Sequence, residues 1–193
     1  MDSREAWDEL YRKQPRAWRG SLKVPDLGLP KKSNVLDVGC GNGKTSSALI
    51  DLGFSVTGLD YSKNAINSCE ERLGNKAHFI ISDCWHMPFY DDHLDGIYAV
   101  HLTEHLDDYE LENFSNECYR ILRSKGKIFV RSFSPEDMRS NNNIRNKISY
   151  HYRTPNEIAK CFENFYVEKT KLVNNETKFG TMRSRSECIF TKL

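Results

Sequence analysis

The residues whose types and spacing best suit chemistry lie in the run Val35-Leu36-Asp37-Val38-Gly39-Cys40-Gly41-Asn42-Gly43, followed by Asp60 at the end of a second hydrophobic run. Glycine adopts left-handed backbone without a Cβ penalty. A glycine-dense turn between a strand and a helix therefore lets backbone amides approach a ligand, next to the positive end of the helix. An acidic residue closing the first strand and a second carboxylate after the next strand complete the pattern of a site for an adenosine-containing cofactor. Two phosphate-binding alternatives fail on counting. A Walker A loop needs a glycine at position 38, which is Val, although Gly43-Lys44-Thr45 has the right ending. A dinucleotide fingerprint needs a third glycine where Lys44 stands. Asp37 would also repel phosphates, so a positively charged ligand fits better.

The stretch Leu36 to Gly43 resembles the signature of class I S-adenosylmethionine-dependent methyltransferases, and residues 30 to 133 follow that family's order. The resemblance implies S-adenosyl-L-methionine as cofactor and an α/β, Rossmann-like fold. That fold has a seven-stranded, mostly parallel sheet, a C-terminal antiparallel hairpin and helices on both faces. It implies that Asp37 and the backbone at Gly39, Cys40 and Gly41 hold the methionyl part near the sulfonium. Asp60 would take the ribose hydroxyls, with Tyr61 beside the adenine. Asp83 would reach the adenine amino group, with Cys84 and Trp85 next to it, and Val100 would close the fourth strand at the cofactor.

On the acceptor side, His101-Leu102-Thr103-Glu104-His105 spells a zinc-ligand pattern of some proteases, but it follows directly from a strand and no third ligand is marked, so no metal is expected. His101 and His105 are instead candidate bases near neutral pH, and His151 and Arg153 are candidate acceptor contacts. Arg131 and Ser132, at the end of the fifth strand, and Tyr150 and Tyr152 are expected to face the pocket as well. Trp7, Tyr11 and Trp18 are candidates for a lid, because aromatic rings can hold a sulfonium and exclude water. The acceptor expected is a small molecule or a protein side chain. Two alternatives stay open. The segment Ile148 to Arg153 is similar to wobble-uridine tRNA methyltransferases, and a non-catalytic cofactor-binding partner or scaffold would retain the same acids.

The elements that position these residues alternate. Strands are expected at 34–38, 55–59, 77–81, 94–100 and 127–131, with helices at 44–52, from Ser62 to about Leu73 and from Asp107 to Leu122. Asp107 with Glu110 forms a capping box, and Thr154-Pro155-Asn156-Glu157 opens a further helix with cap, proline and acid together. Strands at 165–172 and 187–191, with no helix between, predict an antiparallel hairpin at one edge, and Asn141-Asn142-Asn143 predicts a loop. Trp7, Leu10 and Tyr11 share one helical face in the first thirty residues. The organisation expected is one domain over 1–193: a helical lid or cap at 1–30, a cofactor-binding core at 31–133, and a substrate-side segment with the last strands at 134–193.

Composition bounds the rest. The 193 residues are 38% hydrophobic and 28% charged, with no apolar run long enough to span a bilayer and a polar start, Met1-Asp2-Ser3-Arg4-Glu5, unlike a signal peptide. Six singly spaced cysteines argue against a disulfide framework and for a reducing cytoplasm, and either a monomer or a homodimer is expected. The net charge of +1 hides an asymmetry: residues 120–193 carry 16 Lys and Arg against 7 Asp and Glu, whereas residues 1–119 carry 12 against 20. A basic final third suits an anionic substrate or RNA, although no aromatic and basic alternation of a nucleic-acid module is present.

Overall fold

A computed structural model describes residues 3–15 and 22–193, so Trp18 lies outside the described residues. The chain runs α1 (Ser3–Lys13), β1 (Asn34–Val38), α2 (Lys44–Asp51), β2 (Ser55–Asp60), α3 (Lys63–Leu73), β3 (His78–Ile81), β4 (Leu94–Val100), α4 (Asp108–Ile121) and β5 (Leu122–Phe133). Then follow β6 (Ile144–Arg145), β7 (Ile148–Ser149), α5 (Pro155–Lys160), β8 (Tyr166–Glu176) and β9 (Met182–Thr191). The seven-stranded sheet has the order β3-β2-β1-β4-β5-β9-β8, and β6 pairs with β7 in a separate ribbon. The first five strands of the sheet are parallel, while β9 runs antiparallel to β5 and to β8. This is the expected α/β sheet, with the hairpin at one edge.

Parallel strands covered on both faces are apolar almost throughout, and β1 and β4 are buried along most of their length. Alternation sorts their side chains. Leu36, Val38, Ile97, Ala99, Ile128 and Val130 pack with Leu111 and Phe114 of α4 and with Phe162 and Phe190. Val35, Val56, Tyr98 and Phe129 pack with Leu49 of α2, Phe54 and Leu27. From β1 the chain winds outward through β2 and β3, then returns to β4 on the other side. That reversal opens a crevice at the carboxyl ends of β1 and β4, between Gly39 and His101, where ligands of open α/β sheets bind.

The helix starts follow their capping chemistry. Ser62 Oγ accepts the Ala65 N–H at 3.1 Å, and both Asp107–Glu110 and Thr154–Glu157 close reciprocal capping boxes. Three stretches differ from the expectation, the first being β5, which starts at Leu122 and ends at Phe133 rather than spanning 127–131. β8 and β9 extend to Glu176 and back to Met182, because each strand supplies the other's ladder bonds even where Asn174, Asn175 and Glu176 show no apolar alternation. Residues 144–149 form a ribbon whose central residues Asn146 and Lys147 both have positive φ (51° and 66°), a turn usually marked by glycine. Among the described residues, no helix is long and apolar enough to cross a membrane.

Phe162 ties the edge hairpin to the body of the domain: it is fully buried and stacks on Phe190 of β9 with centroids 4.6 Å apart. Phe162→Ala is expected to destabilise the fold by about 3–5 kcal/mol, measured by urea unfolding. A loss below about 1 kcal/mol would show that the hairpin does not share the main core.

Candidate active site

The glycine turn is left-handed at each of its three glycines, with φ of 68° at Gly39, 54° at Gly41 and 75° at Gly43. Gly39 and Cys40 donate their N–H groups to the Leu59 carbonyl at 2.7 and 3.0 Å, which lashes the turn to the end of β2. Asp60 completes the lashing: its Oδ2 accepts the Gly41 N–H and its Oδ1 the Ser62 N–H, both at 2.9 Å. A Cβ at Gly41 would come within 2.4 Å of the Tyr11 hydroxyl, so only glycine fits there.

Asp37 lies behind the turn. Strand alternation puts position 37 on the α2 face, where its Oδ2 accepts the Ser46 hydroxyl at 2.6 Å, and it is not part of the cavity wall. Burial pushes its pKa up to about 7, offset in part by Ser46 and reinforced by the negative charge of Asp60. Burial likewise lifts Asp60 to about 6, against the lowering effect of the Ser62 and Gly41 N–H groups. Burial disfavours the ionised form of both carboxylates, so a ligand bringing positive charge and hydroxyl donors would favour it. A sulfonium nucleoside has both, so the residues present fit that cofactor.

A cavity of about 640 Å³ extends from this turn, lined by Gly39, Cys40, Gly41, Asp60, Tyr61, Asp83, Cys84, Trp85 and Val100 among others. Asp83 is held by its own turn, with Oδ1 accepting from Trp85 N–H at 3.0 Å and His86 N–H at 2.9 Å. Trp85 is fixed in turn by donating its indole N–H to the Glu110 carbonyl at 3.3 Å. One side of the cavity is covered by α1, whose Trp7 and Tyr11 rings stack with centroids 5.9 Å apart. Asp8 docks that helix: its carboxylate accepts from Ser62 Oγ at 2.7 Å and from the Asn64 N–H and side-chain amide at 3.1 and 2.8 Å. Asp8 was invisible to sequence reasoning, which had no way to pair residues 8 and 62.

The acceptor end is built by the segment after β4. His101 has a φ of 61° and donates its N–H to the Arg131 carbonyl at 2.7 Å, which turns its ring into the cavity against Phe133. Its Nδ1 lies 2.8 Å from Glu104 Oε1, and Glu104 is 0% exposed, with Oε2 lacking any hydrogen-bond partner. Burial pulls the Glu104 pKa up, but the interaction with His101, through charge and hydrogen bond, outweighs it, so it lies below the usual carboxylate value and the group stays ionised. The sequence reading of the His-x-x-Glu-His run set the metal pattern aside and took its two histidines as candidate bases, leaving Glu104 without a role. The three-residue spacing of His101 and Glu104 was the usable signal.

The other candidates part company. His105 lies between Trp7 and Tyr150 (centroids 4.8 and 4.6 Å away), with Nδ1 3.0 Å from the Ser149 carbonyl, and burial pushes its pKa down, so the ring is neutral. Arg153 faces away from the acceptor end: it is buried and donates to the carbonyls of Thr103 and Leu106 and to Asp108 at 2.8–3.1 Å, pinning the loop that carries Glu104. His151 lines a separate cleft beside Asp108 and Arg153, and meets this segment only through its N–H to the Glu104 carbonyl, at 2.6 Å. Of the neighbouring pair on β5, Arg131 lines the cavity and Ser132 is buried on the opposite face, as strand alternation requires. Tyr150 lines the cavity, whereas Tyr152 lines the cleft and bonds the Arg139 carbonyl at 2.8 Å.

Comparison with known proteins agrees with this geometry. The profile of the family described as "Methyltransferase domain" matches residues 36–130. A sterol 24-C-methyltransferase from Schizosaccharomyces pombe is 30% identical over 146 residues, covering 70% of this chain and 38% of that protein. An O-methyltransferase from Penicillium expansum is 35% identical over 112 residues, covering 53% of this chain and 41% of that protein. The chain thus matches well under half the length of these curated relatives. Among solved structures, a SAM-dependent methyltransferase from Methanosarcina mazei superposes with a TM-score of 0.74 at 22% identity, covering 89% of this chain and 99% of that one. By its profile match, strand order and glycine turn, the chain belongs to the class I S-adenosylmethionine-dependent methyltransferase family, with S-adenosylmethionine as its cofactor.

Proposed function

We propose that this protein transfers a methyl group from S-adenosylmethionine to a small-molecule acceptor, with His101 as the base that receives the acceptor's proton. The observation that carries this reading is the pair formed by partly exposed His101 and fully buried Glu104, set in the wall of the same cavity as the glycine turn and Asp60. When bound, the cofactor supplies an electrophilic methyl group on a sulfonium. The residues do the rest. Asp60 holds the ribose hydroxyls, Asp83, Cys84, Trp85 and Tyr61 surround the adenine, and the backbone from Gly39 to Gly41, with Val100, borders the methionyl part. Asp37 supports the turn from behind through Ser46 and contributes negative charge.

With Nδ1 engaged by Glu104, Nε2 is the ring nitrogen of His101 left to meet an acceptor. The ionised Glu104 fixes the tautomer and stabilises the imidazolium that forms on taking the proton. His105 packs between aromatic rings and positions α1, while Arg153 secures the loop. Trp7 and Tyr11 exclude water and hold the acceptor's position, which contributes by orientation rather than by acid or base chemistry. A cavity of this size, covered on one side by a docked helix, suits a compact acceptor better than a protein or a folded RNA.

The cofactor side is tested by calorimetry with S-adenosylhomocysteine. Because the Asp60 carboxyl titrates near 6 and binding needs its ionised form, affinity should be level above pH 7 and fall as pH drops through about 6. Asp60→Ala should lower affinity at least about tenfold, the loss of one or more charge-assisted hydrogen bonds. Undiminished affinity in Asp60→Ala would remove Asp60 from the site.

The chemistry is tested by incubating extract with methyl-labelled cofactor, in untreated, protease-treated and RNase-treated arms. Label is expected in a low-molecular-weight product that survives both treatments. Loss of label on RNase treatment would instead support tRNA, and label in a protein band a protein acceptor. With the labelled product as readout, His101→Ala and Glu104→Gln should cut turnover by about 100-fold or more at neutral pH, with cofactor affinity retained. Unchanged turnover in His101→Ala would mean that the acceptor needs no base.

A further inference from the structure

The far end of the cavity is built from cations. On β9, Arg183, Arg185 and Glu187 lie on one face, aligned with Asn175, Val173 and Lys171 of β8, while Phe133 and Arg131 of β5 pair with Arg185 and Glu187. Arg139, from the loop after β5, joins them, and all four arginines line the same cavity as His101 and Asp60. The acids present are already shared. Glu187 pairs with Arg131 at 2.7 Å and Lys171 at 2.8 Å, and Asp137 with Arg183 at 3.2 Å and Arg139 at 3.5 Å.

Among the described residues, Arg185 pairs with no carboxylate; its Nη1 donates only to the Asn175 amide oxygen at 2.9 Å. Arg139 Nη1 is buried with no hydrogen-bond acceptor among the described residues, its ion-pair partner Asp137 Oδ1 lying 3.5 Å away. The four arginines of the wall thus share two carboxylates, Glu187 and Asp137, and Glu187 is also shared with Lys171 outside the cavity. Arg139 and Arg183 also sit over the Phe133 ring at 4.9 and 5.3 Å, which holds their planar forks in place. Burial and mutual repulsion push the pKa of Arg139 and of Arg185 down, yet a guanidinium does not give up its proton near neutral pH, so the excess charge persists.

We infer that this wall is an anion subsite, and that the methyl acceptor carries a carboxylate or phosphate group held by Arg183, Arg185 and Arg139. The inference rests on the reading of the cavity as a methyltransferase site and adds the acceptor's chemical class. Guanidinium groups match both anions in a bidentate fork. The arrangement orients the molecule: its anionic group lies at the β5–β9 wall and its nucleophile toward His101. Four of the sixteen Lys and Arg residues of the final third, Arg131, Arg139, Arg183 and Arg185, thus line the cavity.

The test uses inorganic phosphate and acetate as probes, titrated at constant ionic strength into the full chain saturated with S-adenosylhomocysteine, with binding followed by amide chemical shifts. At least one anion should saturate a single site, and preference between the two distinguishes a phosphate from a carboxylate on the acceptor. The double variant Arg183→Gln/Arg185→Gln should weaken that binding at least tenfold while S-adenosylhomocysteine affinity stays within twofold. Arg185→Lys, which keeps the charge and loses the fork, should fall between. Absence of binding by both anions, or equal binding in the double variant, would overturn the subsite. Single-stranded RNA that binds tighter than either anion and loses its affinity in the double variant would overturn it in favour of nucleic acid. Failure of S-adenosylhomocysteine to bind wild type would strike the methyltransferase reading instead. Phosphate titration of the ligand-free chain would then still decide the subsite.

Discussion

Asp60 is the group on which the site depends. Its two carboxylate oxygens accept one N–H from the glycine turn and one from the cap of α3, so a single side chain fixes the turn to the helix that follows β2. The cap residue passes the constraint on: Ser62 donates to Asp8, which docks α1 over the cavity. Turn, helix cap and cover are thus one hydrogen-bonded chain. Its cost is a carboxylate kept from water, visible in a pKa lifted to about 6. In the proposed complex a bound diol and a nearby positive charge would restore what burial removed, so the interaction that organises the turn would also favour the cofactor.

The cavity is electrostatically two-ended. Asp60 and Asp83 line the end of the cavity at the carboxyl ends of β2 and β3, with Asp37 behind the glycine turn. Arginines gather at the β5–β9 wall, where two antiparallel strands place alternate residues on one face. His101 stands between them, at the reversal of the sheet. A cationic cofactor and an anionic acceptor are the pair that such a gradient accommodates, and each is repelled from the other's seat.

Much of this was legible in the sequence. Glycine turn, acids at strand ends and caps at helix starts are local signals, each decided within a few residues, and they located Asp60, Asp83, Ser62 and the Asp107 and Thr154 caps. What was not legible depended on pairing across the chain. Asp8 with Ser62, and Arg183 and Arg185 beside Arg131 and Arg139, meet only through tertiary register. Arg153 resembled an acceptor ligand in sequence, yet the loop carbonyls of Thr103 and Leu106 claim it. Asp37 belonged to the right motif, but period-two alternation sends it to α2 and leaves Val38 on the cavity wall.

The most direct measurement is a crystal structure of the chain with S-adenosylhomocysteine. Both ribose hydroxyls should lie within about 3 Å of the Asp60 carboxylate, with that carboxylate still accepting the Gly41 N–H. A nucleoside bound elsewhere, or one seated in the cavity with its ribose turned away from Asp60, would contradict the assignment.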